Sequence, residues 1–134
     1  MADENEMQKK AMEFRMLQER GAAMQGQLNA LKGLIEEAES ASKALTAISS
    51  ADAKESVLFP LGAGVIVRAK PLSQEKVLIE EGAGVVLEKS FKDAITQLDE
   101  RKAKLSQALE AYSSELQKIS QRVEFLRSDL MQYR

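Results

Sequence analysis

Counting alternately three and four residues from Met7 lands on Lys10, Phe14, Leu17, Gly21, Met24, Leu28, Leu31, Ile35, Ala38, Ser42, Leu45 and Ser49. These positions are mostly apolar or small, with Lys10 the clear exception, and the seven-residue rhythm predicts an imperfect heptad helix over residues 1–50. Gly21, Gly26 and Gly33 each cost on the order of 1 kcal/mol relative to Ala inside a helix, so its order is expected to depend on a partner. The C-terminal segment, 90–134, is more regular. Ser90 with Asp93 makes a capping-box-like start, and the rhythm then runs Phe91, Ile95, Leu98, Lys102, Leu105, Leu109, Tyr112, Leu116, Ile119, Val123, Leu126, Leu130 and Tyr133. Only Lys102 breaks it, which predicts a supercoiled helix roughly 65 Å long at ~1.5 Å per residue.

Between them, over 55–89, the pattern changes period and repeats itself. Val57-Leu58-Phe59-Pro60-Leu61-Gly62-Ala63-Gly64-Val65-Ile66-Val67 returns twenty positions later as Val77-Leu78-Ile79-Glu80-Glu81-Gly82-Ala83-Gly84-Val85-Val86-Leu87. Short apolar runs on either side of Gly-Ala-Gly read as two β-hairpins in tandem, with the glycines supplying positive φ in the turns. The stretch 69–76, with Pro71, turns the chain between them; pairing of 65–69 with 77–81 across that turn is the alternative.

The two helices match each other. Pairing seam position n with 140 − n sets Met7 against Tyr133, Phe14 against Leu126, Leu17 against Val123 and Leu45 against Ile95, as an antiparallel two-stranded coiled coil requires. Gly21 falls opposite Ile119 and Ala38 opposite Lys102, small against large. A slip of one heptad keeps the same phase, and two chains pairing in parallel is the alternative to one chain folding back. The fold class is therefore α+β, a long antiparallel coiled coil with two central hairpins.

The strands carry three apolar residues in a row, so both faces need covering, which two hairpins and a helix end cannot supply. With about a dozen such side chains at roughly 1.5–3 kcal/mol each, association through the hairpins is strongly favoured. The expectation is an oligomer held at its β-segments with the coils projecting outward; the alternative is a small closed sheet folded onto the helix roots of a monomer.

Composition narrows the chemistry. There is no His and no Cys, which removes the commonest general base, the thiol nucleophile and the usual zinc sites, and no metal, cofactor or catalytic residue is expected. Gly62-Ala-Gly64 and Gly82-Ala-Gly84 fail the dinucleotide fingerprint, because Val67 and Leu87 hold the third glycine position and strand follows. A net charge of −2 with interleaved bases argues against nucleic acid. No run suits a membrane span and the first residues are acidic, so a cytoplasmic location is expected. All six Met lie within the first 24 or last four residues, which meet at one tip in a folded-back coil. Met12, Met16, Phe125 and Met131 fall at outward heptad positions, where flexible thioethers and a ring suit adaptable binding of apolar partners.

A heptad helix, two hairpins carrying Pro60-Leu-Gly-Ala-Gly64 and Gly82-Ala-Gly-Val85, and a matching second helix together resemble the archaeal alpha-type subunit of prefoldin, over essentially the whole chain, 1–134, as a single domain. The duplicated hairpin is the specific part, since beta-type subunits have one. The resemblance implies a hexamer of two alpha-type and four beta-type subunits on a β-barrel platform, acting without ATP. It also implies that unfolded proteins are held at the coil tips and delivered to a group II chaperonin. Carried onto this sequence, the oligomerisation contacts are Val57, Phe59, Val65, Val67, Val77, Ile79, Val85 and Leu87, and the client contacts Met7, Met12, Phe14, Met16, Phe125, Leu130, Met131 and Tyr133. Glu80-Glu81 stand awkwardly where the first copy has Pro60-Leu61, which leaves open how the second hairpin is covered. The alternative function is a structural filament assembled through the hairpins.

Overall fold

The computed structural model describes residues 2–50, 56–71 and 75–132. The element order is α1 (Ala2–Ser50), β1 (Val57–Gly62), β2 (Val65–Ala69), β3 (Lys76–Gly82), β4 (Val85–Ser90) and α2 (Phe91–Met131). Two compact units share these elements, one of Met1–Ile35 with Lys104–Arg134 and one of Glu36–Ala103.

In the first unit α1 and α2 pack antiparallel along the heptad seam. Met24, Leu28, Ile119 and Leu126 are buried, and the other described seam residues are half-buried except Tyr112, which is slightly more exposed. A Cβ built on Gly21 would lie 3.5 Å from Ile119 Cγ2 and 3.8 Å from Leu116 Cδ1, so the glycine faces Ile119, the register in which paired positions sum to 140. The two seam exceptions have different partners. Lys10 reaches out of the seam to pair with Asp129, and in the second unit Lys102 Nζ sits 3.7 Å from Glu39 Oε2.

Charge explains why the one-heptad slips lose. Glu13 pairs with Arg122 at 2.9 Å, and one heptad on Arg20 pairs with Glu115, so the sign alternates along both flanks. A slip in one direction would set Glu13 against Glu115; a slip in the other would set Arg20 against Arg122. Hydrophobic packing tolerates all three registers, and like-charge contact penalises two of them.

The second unit holds the hairpins and the helix segments beside them. Hairpin 1 pairs Leu58 with Arg68, Phe59 with Val67 and Pro60 with Ile66. Hairpin 2 pairs Val77 with Lys89, Leu78 with Glu88, Ile79 with Leu87 and Glu80 with Val86. They are two separate two-stranded sheets, so neither the alternative 65–69/77–81 pairing nor a closed small sheet is formed. Strand β4 runs directly into α2. Ser90 Oγ accepts the Asp93 N–H at 3.0 Å, capping the helix, and the Phe91 N–H donates to the Glu75 carbonyl at 3.0 Å. Phe91, Ala94 and Leu98 are buried here. Ala94 is not a seam position; it lines an apolar notch with Ala41, Ala44 and Leu45 of α1, the β3 stretch 77–80 and Leu98, so strand β3 joins the other helix in covering it.

Both turns have the form of a two-residue type I′ hairpin preceded by a bulge. Ala63 and Ala83 both take φ 52°, followed by Gly64 at 79° and Gly84 at 77°. The first central position thus asks an L-residue with no local polar group to sit in the left-handed region, which Asn tolerates better. Replacing Ala63 and Ala83 by Asn is expected to stabilise each hairpin by roughly 0.5–1 kcal/mol, read as slower amide exchange in 57–69 and 76–90 with the helices unchanged.

Candidate functional site

Among the described residues, two sets of large apolar side chains remain on the surface, beside Leu34 and Tyr112. In the first unit, Met12, Met16, Phe125 and Met131 are between 57% and 66% exposed, whereas Met7, Phe14 and Leu130 are half-buried in the seam. Tyr133 lies outside the described residues. The exposed four do not form one patch. Met12 and Met16, four residues apart, share a ridge of α1. Phe125 belongs with them through an ionic link: Arg122 donates from Nε and a terminal nitrogen to both oxygens of Glu13, at 2.9 and 3.2 Å, while its guanidinium lies 5.2 Å from the Phe125 ring centroid. Met131 is six residues beyond Phe125, which turns it about 120° away around α2. The Phe14 ring has its own guanidinium, Arg127, at 5.9 Å. The surface is a mixed one, with thioethers and a ring interleaved with satisfied ion pairs.

The second set is on the hairpins. Of the residues expected to make oligomer contacts, Val57, Phe59, Val77 and Ile79 are half-buried and Val65, Val67, Val85 and Leu87 are exposed. All eight point to one face of their hairpin. The opposite face carries Leu58, Ile66, Leu78 and Val86, which are between 52% and 69% exposed and are not among the eight contacts that the resemblance implies. The signal for them is the run of three consecutive apolar residues, which occupies both faces. Leu61, at the bulge, is also exposed.

The two acids in the second copy have separate roles. The bulge falls between Glu80 and Gly82 and turns Glu81 toward α2, where it pairs with Lys89 at 2.9 Å and accepts the Gln97 amide at 3.1 Å; Lys89 also reaches Gln97. Glu80 stays on the outward face. The first copy has Leu61 and Ala69 at the positions of Glu81 and Lys89, so this clasp belongs to hairpin 2 alone.

Among the described residues three carboxyls are held below their ordinary value of 4.5. For Glu13 the main cause is the hydrogen bond from Arg122, for Glu39 that from Lys43 and for Glu81 that from Lys89. A carboxyl whose folded-state pKa lies below its unfolded one contributes stability above the unfolded value, and that contribution is lost as pH falls through the folded one. Thermal stability is therefore expected to be flat from about pH 8 to about 5.5 and to fall below the ordinary carboxylate value. Glu13→Gln and Glu81→Gln should each shallow that acid limb when followed by circular dichroism.

Among the described residues no group of three or more His, Cys, Asp or Glu could hold a metal ion. No described helix is long and apolar enough to cross a membrane.

Comparison with known proteins agrees with this geometry. The Prefoldin family model, described as prefoldin subunit, matches residues 17–133. The chain is 35% identical over 120 residues to a protein named prefoldin subunit alpha from Thermofilum pendens, covering 90% of this chain and 93% of that one. The protein of the same name from Hyperthermus butylicus is 37% identical over 112 residues, 78% of this chain and 73% of its own. The one from Archaeoglobus fulgidus is 29% identical over 97% of this chain and 95% of its own. Among solved structures, a chain of filamentous PFD from Methanocaldococcus jannaschii superposes with a TM-score of 0.72 at 16% identity, covering 89% of this chain and 98% of that chain, a likeness of fold. With the duplicated hairpin between two antiparallel heptad helices, the family model matched over residues 17–133, and these relatives sharing one subunit name, the chain belongs to the prefoldin family, among its archaeal alpha-type subunits.

Proposed function

We propose that the chain is a subunit of an ATP-independent chaperone that holds unfolded proteins on the apolar side chains near its two ends and assembles through its hairpins. The observation that carries this reading is the exposure of Met12, Met16, Phe125 and Met131 off the heptad seam, where coiled-coil packing has no use for them. Met7, Phe14, Leu130 and Tyr133 would extend that contact as the seam frays at its open end. Thioethers and an accessible ring repack against many sequences at little cost, which favours breadth over affinity. Several weak sites on one assembly raise avidity by about 10²–10⁴ without a deep pocket.

The assembly in this proposal is a hexamer of two alpha-type and four beta-type subunits, with client passed on to a group II chaperonin in the cytoplasm and no catalytic step. Such a role needs only surfaces. In the full assembly, Met12, Met16, Phe125 and Met131 changed together to Ser are expected to lose most suppression of light scattering by a denatured client. Unaltered suppression would remove the client role from these residues.

The unpaired strand edges also support a second reading, a filament in which hairpins join without closing a ring. Sizing separates the two. A closed assembly gives one mass, whereas a filament gives a mass series that grows with concentration.

A further inference from the structure

Sulfur in this chain is confined to its two end regions. The six Met lie within the first 24 and last four residues, so the hairpins and the helix segments beside them carry none, and Cys, Trp and His are absent altogether. A two-electron oxidant such as a hydroperoxide therefore meets no thiol, indole or imidazole, and thioethers are the most easily oxidised side chains present. Burial then divides the methionines. Met12, Met16 and Met131 are 66%, 63% and 64% exposed, Met7 is half-buried and Met24 is only 7% exposed; Met1 lies outside the described residues.

We propose that Met12, Met16 and Met131 are a modification site, oxidised by peroxides to methionine sulfoxide, and that the change reversibly switches off client holding while the fold and the assembly stay intact. The proposal rests on the reading that these side chains hold client, and it adds their regulation. In the step, a sulfur lone pair attacks one oxygen of hydrogen peroxide, and the S–O bond forms as the O–O bond breaks. The proton of the transferred hydroxyl passes to the departing hydroxide, which leaves as water; sulfur loses two electrons and the peroxide gains them. An adaptable apolar thioether becomes a polar, chiral group, which removes what suits these positions to varied apolar sequences. Their place on the helices keeps the change local. All three stand off the heptad seam, so the new oxygen meets water. At Met24, a seam residue level with Leu116 in the 140 register, the same oxygen would be buried without a donor and would destabilise the coil, but burial also shields that sulfur. Reversal takes two thiols, which become a disulfide as the sulfoxide oxygen leaves as water, the reaction of methionine sulfoxide reductases.

The test oxidises the purified full-length chain with dilute hydrogen peroxide, quenches it and assembles it with untreated partner subunits. Peptide mass mapping is expected to show Met12, Met16 and Met131 gaining one oxygen at least about tenfold faster than Met24, with helix content and assembly mass unchanged. The concentration giving half suppression of client aggregation should rise by about fivefold or more, and sulfoxide reductases of both epimer specificities with a dithiol should bring it back. A chain carrying Met12→Leu, Met16→Leu and Met131→Leu, read against its own untreated sample, should not respond to peroxide. The proposal is overturned if Met24 oxidises as fast as the exposed three, if helix content or assembly mass falls, or if suppression is unchanged once all three are oxidised. Failure of the reductases to restore suppression, or an equal peroxide response from the Leu chain, overturns it too. The chain with Met12, Met16, Phe125 and Met131 changed to Ser locates the failure. If that chain loses suppression while the sulfoxide chain retains it, only the switch falls; if it too retains suppression, the client-holding reading falls and the switch with it.

Discussion

Leu126→Ala is expected to destabilise the chain by about 2–5 kcal/mol, the largest loss from any single truncation. Among the described residues Leu126 is the largest side chain with no exposed surface. One heptad along from the Gly21–Ile119 contact, the 140 register sets it level with Phe14, whose ring lies near the Arg127 guanidinium. Removing three carbons there leaves a hole between two helices that are fixed on either side by the Glu13–Arg122 and Lys10–Asp129 ion pairs, so the site cannot readily collapse. Leu126→Met keeps the volume and should lose less than about 1.5 kcal/mol. Urea denaturation followed by circular dichroism distinguishes them, and equal effects of the two substitutions would mean that the seam at this level is not closely packed.

The same position shows how much the sequence reveals. Leu126 is readable as core because a period of seven sustained over about six heptads leaves few other placements, and the glycine at Gly21 finds Ile119 because small and large alternate across the seam. The hairpins are equally readable, since Gly-Ala-Gly between apolar runs admits few structures. Three features were not. The choice among heptad slips is made by Glu13, Arg20, Glu115 and Arg122, charges on the flanks that a count of apolar positions passes over. Ala94 sits in a notch that α1 and strand β3 line together, and a single methyl gives no periodic signal. Glu81 looked like an uncovered acid in a β-run because a bulge shifts the inside–outside alternation by one residue, and no strand period encodes where a bulge falls. Of the surface residues, the exposure of Met12, Met16, Phe125 and Met131 follows from their heptad positions. That Phe125 shares a face with Met12 and Met16 and Met131 does not requires the position of Arg122, which only the folded chain supplies.

Replacing Gly26 and Gly33 together by Ala is expected to stabilise the first unit by about 1–2 kcal/mol, each contributing roughly 0.5–1. A Cβ at either position meets nothing within 4 Å, so the substitution gains backbone order with no steric opposition. The two sites are seven residues apart, about 10 Å along the helix, and their effects should add. Gly21 is the internal control. Its Cβ would meet Ile119 and Leu116 at ordinary van der Waals distance, so Gly21→Ala is tolerated, whereas Gly21→Leu forces Ile119 out of the seam and should lose about 1–3 kcal/mol. If α1 needs to yield while a client is held, the Gly26→Ala, Gly33→Ala chain will melt higher yet suppress aggregation less well, the trade expected where activity depends on compliance. Higher melting with unchanged suppression would instead mean that these glycines serve neither packing nor binding, and that rigid helices present the exposed methionines equally well.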